Sequence, residues 1–227
     1  MRVLLTGGTG FVGYWMHKTQ PDIDVTYLSH TDYYRSMWDA EKWDAIVHLA
    51  PVSPSYVLQK ARRLLFASSG AIYESRTDYA NKKRRWEFSC IRHGIKELVI
   101  ARLFTFVGAH LKNNYAITNF IEDAKAGGPI KIQGDGSAIR SYLYGEDLGR
   151  WMWKILLEGR GVYDVGSAIH CTILEAARTV AEVIPSKIQI LNTPGIPETK
   201  YVPDTTRARE LGCVETVGLR EAIEKSL

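Results

Sequence analysis

Tyr79 and Lys83 stand four positions apart in a segment, 79–93, with helical spacing of its apolar residues, and Ser69 closes an apolar run ten positions before Tyr79. On a helix, positions i and i+4 share a face, so this phenol and ammonium reach a common ligand. A lysine ammonium beside a phenol favours the phenolate, drawing a pKa of about 10 toward the range useful for proton transfer. Tyr79 then exchanges a proton with a substrate hydroxyl, and Ser69, at a strand's carboxyl end, hydrogen-bonds the same oxygen. A lone Tyr-x-x-x-Lys pair usually marks only an amphipathic helix. Its position after Ser68-Ser69 and an N-terminal glycine turn gives it chemical meaning.

That turn is Gly7-Gly8-Thr9-Gly10-Phe11-Val12-Gly13, entered directly from the apolar run Val3-Leu4-Leu5. Gly7 permits a tight turn off the strand, Gly10 lets backbone amides approach a pyrophosphate, and Gly13 lets the following helix pack closely. The helix from Phe11, continuing through Trp15, Met16 and Lys18, then turns its amide-bearing, positive end toward the phosphates. A strand, these glycines and a helix together predict a dinucleotide site.

Further strands are expected at 24–28, 43–50, 64–68 and 98–103, with helices at 55–63 and 79–93 between them. Strands apolar on both faces that alternate with helices predict an α/β fold with a doubly wound parallel sheet. Beyond Gly108 the pattern loosens into a helix at 119–126, a strand at 130–133, a helix at 148–157 capped by Asp147, a strand at 162–165 and a helix at 174–184. A Pro-rich stretch, 194–203, precedes a last helical portion. The expected organisation is a dinucleotide-binding core, 1–108 and 142–166, with a smaller substrate-binding lobe, 109–141 and 167–227.

The chain has 227 residues, 45% of them hydrophobic, enough for one substantial core or a core with a lobe. No stretch approaches the roughly 18 uncharged apolar residues of a membrane span, and Met1 lies too close to the first strand for a signal peptide to fit. Cys90, Cys171 and Cys213 are far apart and lack metal-ligand spacing, so they read as reduced thiols and the expected compartment is the cytoplasm. The net charge of +4 is densest at Lys82-Lys83-Arg84-Arg85. Four basic residues without base-stacking aromatics read as a solvated helix face rather than a nucleic-acid site. A mild positive field suits a diphosphate-bearing ligand.

Taken in order, these motifs resemble the extended short-chain dehydrogenase/reductases, specifically the NAD-dependent epimerase/dehydratase family acting on nucleotide sugars. The resemblance runs through Thr6 to Gly13, His48-Leu49-Ala50, Ser68 to Tyr73, Tyr79 to Glu87 and Ala101-Arg102-Leu103-Phe104 with Gly108. It continues in Gly134-Asp135-Gly136, Arg140 to Tyr144 with Asp147, Val162 to Ser167, and Val202-Pro203-Asp204. It implies a Rossmann core and a catalytic triad of Ser69, Tyr79 and Lys83, with Lys83 also binding the nicotinamide ribose. It further implies cofactor contacts from Gly7, Gly10, Phe11, Val12, Gly13, Ser29, His30, Leu49, Tyr79 and Lys83, and a substrate-diphosphate contact from Arg140, whose guanidinium fork suits phosphate oxygens. His48 takes the place of a structural strand histidine, and the family's pairing of two helices per subunit makes a homodimer possible.

Ser29-His30 replace the acidic residue that would select NAD, so NAD and NADP both stay open. Gly70 and Ala71 stand where dehydratases of the family carry an acidic residue, which disfavours dehydration and leaves epimerisation or keto-sugar reduction. Several family elements look shortened, among them the link 74–78 between the serine strand and the tyrosine helix. A catalytically reduced NAD(P)-binding sensor or scaffold is therefore the alternative.

Overall fold

The computed structural model describes residues 1–28, 43–58, 62–74, 76–112, 115–193 and 199–227. The chain begins with β1 (Arg2–Thr6), α1 (Phe11–Lys18), β2 (Asp24–Leu28), β3 (Ala45–His48), α2 (Ser55–Leu58) and β4 (Arg63–Ser69). A single 3₁₀ turn at Gly70–Ile72 leads to α3 (Asp78–Arg92) and β5 (Glu97–Leu103). After these come β6 (Phe106–Val107), α4 (Ala116–Lys125), β7 (Ile130–Ile132), β8 (Ile139–Ser141), β9 (Leu143–Tyr144), α5 (Gly145–Glu158) and β10 (Gly161–Val165). The rest comprises β11 (His170–Thr172), α6 (Ile173–Val183), β12 (Ile188–Ile190), β13 (Lys200–Tyr201), α7 (Thr206–Glu210) and α8 (Leu219–Glu224).

Chain packing defines two compact units. The first comprises Met1–Phe104, Leu148–Val165 and Thr205–Val214. Its sheet has the order β10-β5-β4-β3-β1-β2, and every neighbouring pair is parallel. The apolar runs dictate this arrangement: every residue of β3 and all but the first of β1 and β4 are buried, which a sheet achieves only with helices on both faces. On one face Leu4, Ile46, Leu64, Phe66 and Ile100 pack with Val57 and Leu58 of α2 and Cys90 of α3. Elsewhere in the unit, Gly149 of α5 lies so close to α1 that a Cβ there would stand 2.5 Å from the Trp15 carbonyl oxygen, and the Trp153 indole N–H donates to Met16 O at 2.7 Å. From β1 the chain steps outward to β2 and then returns to lay β3 on the other side. The strand order therefore reverses between β1 and β3, and ligands of such sheets bind at the carboxyl ends beside this switch.

Residues 205–214, which the sequence pattern groups with the lobe, pack instead in the first unit. Arg207 of α7 donates to the carbonyls of Val162 and Arg160, and its guanidinium lies 4.8 Å from the Tyr163 ring centroid.

The second unit comprises Thr105–Asp147, Gly166–Asp204 and Glu215–Leu227. It contains the small sheets β11-β8-β13, β12-β7 and β6-β9 with helices α4, α6 and α8. A reciprocal capping box of Thr172 and Glu175 starts α6. Asp147 differs from expectation. It lies inside α5 rather than ahead of it, fully buried, and its carboxylate accepts from the backbone N–H groups of Thr216 and Val217 and from the Thr216 hydroxyl. Among the described residues no helix is long and apolar enough to cross a membrane.

Candidate functional site

The glycine turn sits at the switch between β1 and β3. Gly7 adopts φ +79°, and the N–H groups of Gly7 and Gly8 both donate to Leu28 O at the end of β2, at 3.1 and 3.2 Å. A Cβ on Gly7 would lie 2.8 Å from the Ala50 nitrogen, and one on Gly13 would lie 2.6 Å from Gly7 O, so the protein's own backbone excludes side chains at both. Gly10 is different: a Cβ there would meet only Gly7 O, at an ordinary 3.5 Å. Among the described residues nothing else crowds that position, so the backbone at Gly10 is open to close approach by a ligand. The first turn of α1 carries no acidic residue and Gly10 supplies no capping side chain, leaving the positive helix end available to an anion. Phe11 and Val12 open this helix and Leu49 follows β3, all half-buried. These residues fit a dinucleotide. Ser29 and His30 lie outside the described residues.

Ser69 ends β4, and its hydroxyl accepts the N–H of Ala71 at 3.2 Å, which starts the 3₁₀ turn. Within that turn a Cβ on Gly70 would lie 2.5 Å from ring atoms of Phe104, so any side chain there would require that ring to move. Helix α3 begins after Thr77, whose hydroxyl accepts the Ala80 N–H. Tyr79, in the first turn, is 54% exposed, whereas Lys83, one turn on, is only 7% exposed. The Lys83 ammonium donates to the Ala67 carbonyl at 2.7 Å and lies 5.3, 5.4 and 6.0 Å from the ring centroids of Phe66, Trp86 and Tyr79. Burial lowers its pKa to about 8, against the opposing pull of the Glu87 carboxylate. Helical spacing thus brings Tyr79 and Lys83 to one face, and Lys83 ties that face to the strand that carries Ser69.

The basic run containing Lys83 corrects the expectation of a solvated face. Lys82 and Arg85 are exposed, but Lys83 is buried and Arg84 half-buried, with its Nε donating to Ile72 O at 2.8 Å. His48 is fully buried; its Nδ1 lies 2.9 Å from the Thr6 hydroxyl and its Nε2 3.1 Å from Val52 O. Burial lowers its pKa to about 4. In the second unit, Arg140 on β8 donates to Ile139 O and to both the carbonyl and hydroxyl of Thr199, with its guanidinium 6.0 Å from the Tyr201 ring centroid.

Sequence reasoning missed the surroundings of Lys83. Trp86 and Glu87 follow it by three and four residues, so helical spacing did contain their signal. The Ala67 carbonyl had none.

A parallel sheet with a dinucleotide cradle at its switch point and a Ser, Tyr and Lys on the adjoining strand and helix defines a class of nucleotide-dependent α/β proteins. The family model "NAD dependent epimerase/dehydratase family" matches residues 54–166, and the chain belongs to that family. Among curated relatives, UDP-glucuronic acid decarboxylase 5 of Arabidopsis thaliana is 35% identical over 58% of this chain and 40% of that enzyme. UDP-glucuronic acid decarboxylase 6 of the same plant is 27% identical over 98% of this chain and 87% of its own length. Among solved structures, the UDP-glucose 4-epimerase of Thermus thermophilus in complex with NAD superposes with a TM-score of 0.82 at 20% identity, covering 99% of this chain and 98% of that one. The UDP-glucuronic acid 4-epimerase of Bacillus cereus in complex with NAD gives 0.83 at 17% identity, covering 100% and 97%. These likenesses show the same fold.

Proposed function

We propose that the chain is an NAD-dependent nucleotide-sugar enzyme that epimerises a ring carbinol or reduces the corresponding ketone, with Ser69, Tyr79 and Lys83 as its catalytic residues. Bound NAD would supply the hydride acceptor and donor. Tyr79 would accept the hydroxyl proton as the carbinol is oxidised and return it as the carbonyl is reduced; epimerisation requires that the sugar present the opposite face of that carbonyl to the hydride that NAD would supply. Ser69 orients the sugar oxygen, and Lys83 places positive charge beside the phenol. The observation that carries this reading is the Lys83 ammonium, held between the Tyr79 ring and the strand of Ser69 in the unit that also holds the glycine cradle.

The Phe104 ring against Gly70 supports the exclusion of an acidic side chain there, and with it the reading against dehydration. We propose NAD rather than NADP on the strength of the family, and Arg140 as the contact to the substrate diphosphate. A cytoplasmic setting agrees with three free cysteines. The exposed Phe88 and Ile91, three residues apart on α3, support a homodimer through that helix.

The test is incubation of the purified chain with NAD against UDP-, GDP-, CDP- and dTDP-sugars, uronic acids included, and with NADH against the corresponding keto-sugars, with products resolved by anion exchange and identified by NMR. A converted sugar supports the reading. Tight NAD binding without conversion of any sugar favours the sensor or scaffold alternative.

A further inference from the structure

Only the five-residue link 73–77 separates the serine turn (Gly70–Ile72) from α3 (Asp78–Arg92), and two arginines join what lies on either side. Arg84, next to Lys83, directs both Nε and Nη2 at the carbonyl of Ile72, the last residue of the 3₁₀ turn, while its Nη1 donates to Asn81 Oδ1 at 2.8 Å. Asn81 in turn donates to Arg76 O within the link. Arg102 of β5 grips Glu87, one turn beyond Lys83, with Nε and Nη2 at 3.0 and 2.8 Å, and donates from Nη1 to the Tyr73 hydroxyl at 2.7 Å. The Tyr73 hydroxyl donates onward to Asp164 Oδ1 on the neighbouring strand, in register with Arg102.

From these ties we infer that Arg84 and Arg102 are positioning residues that fix the Ser69 turn against the Tyr79 helix, doing what a longer loop would otherwise do. Phe104 seats Gly70 from within, Arg84 holds Ile72 from α3, and Arg102 holds Tyr73 from β5. Only a guanidinium can place two donors on one carbonyl and a third on a neighbouring amide; a lysine makes one such bond at a time. The geometry between Ser69 and Tyr79, which the proposed function requires to be fixed at one substrate oxygen, then depends on Arg84 more than on the link itself. This inference rests on that reading for its catalytic consequence but not for its structural one.

The experiment compares the native chain with Arg84→Met, Arg84→Lys and Tyr73→Phe by hydrogen exchange and kinetics. The Ala71 and Tyr73 amides, bonded to Ser69 Oγ and Gly70 O, report on the turn. In Arg84→Met they exchange about tenfold faster while β1 is unchanged. NAD binding is retained, and kcat for the sugar that the native chain converts falls about hundredfold with KM little changed. Arg84→Lys recovers part of the loss, an outcome that a general loss of stability would not give. Tyr73→Phe, at a ring more than half exposed, removes the bonds to Arg102 and Asp164 together without emptying the core and gives a smaller change of the same kind. Exchange at Ala71 and Tyr73 as slow in these variants as in the native chain overturns the inference, whether or not a sugar is turned over. Changed exchange in a chain that converts no sugar sinks the enzymatic reading and leaves the clamp standing.

Discussion

The Lys83 ammonium donates to the Ala67 carbonyl at 2.7 Å, joining the helix that carries Tyr79 to the strand that ends in Ser69. A strand carbonyl two residues before Ser69 thus receives a positive charge that burial opposes, lowering the Lys83 pKa from 10.5 to about 8. Costly charge burial of this kind supports the catalytic role proposed for Lys83.

Replacing Lys83 therefore tests that cost. A lysine with a lowered pKa in the folded chain binds fewer protons than the unfolded chain between pH 8 and 10.5, so native stability rises with pH across that window. Below pH 8 the penalty is complete, about 3 kcal/mol. At pH 7, Lys83→Met gains roughly 1 kcal/mol net, after loss of the Ala67 bond and the ring contacts, and turnover disappears. Urea unfolding of both proteins at pH 7 and pH 10 checks this. An advantage that fails to shrink at pH 10 contradicts the assignment.

Tyr79→Phe separates chemistry from folding. The side chain is more than half exposed, so stability changes by less than about 0.5 kcal/mol, while loss of the acid/base lowers kcat by about 10² to 10⁴. NAD titration by fluorescence retains the native affinity. Undiminished turnover removes Tyr79 from the mechanism.

Much of this arrangement was legible in the residues. The glycine spacing after Val3-Leu4-Leu5 and the helical spacing of 79–93 are strong periodic signals, and α1 and α3 appear where they point. What pattern could not reveal are bonds to backbone. Ala67 O and Ile72 O have no sequence signature, so Lys83 and Arg84 read as part of a basic run although the structure turns both inward. Asp147 read as the cap of its own helix because the alternative acceptor role, toward Thr216, spans 69 residues of sequence. Strands of two residues, such as β6 and β13, offer no periodicity to read.

His48 predicts an acid limit to stability. Val52 O can only accept, so Nε2 carries the proton and Nδ1 of the neutral ring accepts from the Thr6 hydroxyl. Its pKa of about 4, against an ordinary 6.5, means the unfolded chain binds more protons between those values. This contribution is fully present above pH 6.5 and is lost as pH falls toward 4, about 3 kcal/mol in all. Urea midpoints from pH 7.5 to 4.5 show the slope in the native chain, and His48→Gln flattens it. Because His48 bonds Thr6, at the root of the glycine turn, and Val52, beyond Leu49, NAD affinity falls over the same range.

Gly10 and Gly13 respond oppositely to the same substitution. At Gly13 a methyl group would stand 2.6 Å from Gly7 O and Gly8 Cα, backbone atoms with nowhere to move, so Gly13→Ala pushes α1 off β1 and lowers stability by about 2 to 3 kcal/mol. At Gly10 the methyl group meets nothing closer than 3.5 Å, and φ is an ordinary −82°, so Gly10→Ala folds as well as the native chain. Its methyl group instead occupies the space through which a pyrophosphate reaches the backbone, and NAD affinity drops at least about tenfold, or about 1.4 kcal/mol. Thermal melts and NAD titrations of the two variants distinguish a cradle from an ordinary turn. If Gly10→Ala binds NAD like the native chain, the cofactor does not lie against this turn, and the roles given to Tyr79 and Lys83 lose their hydride partner.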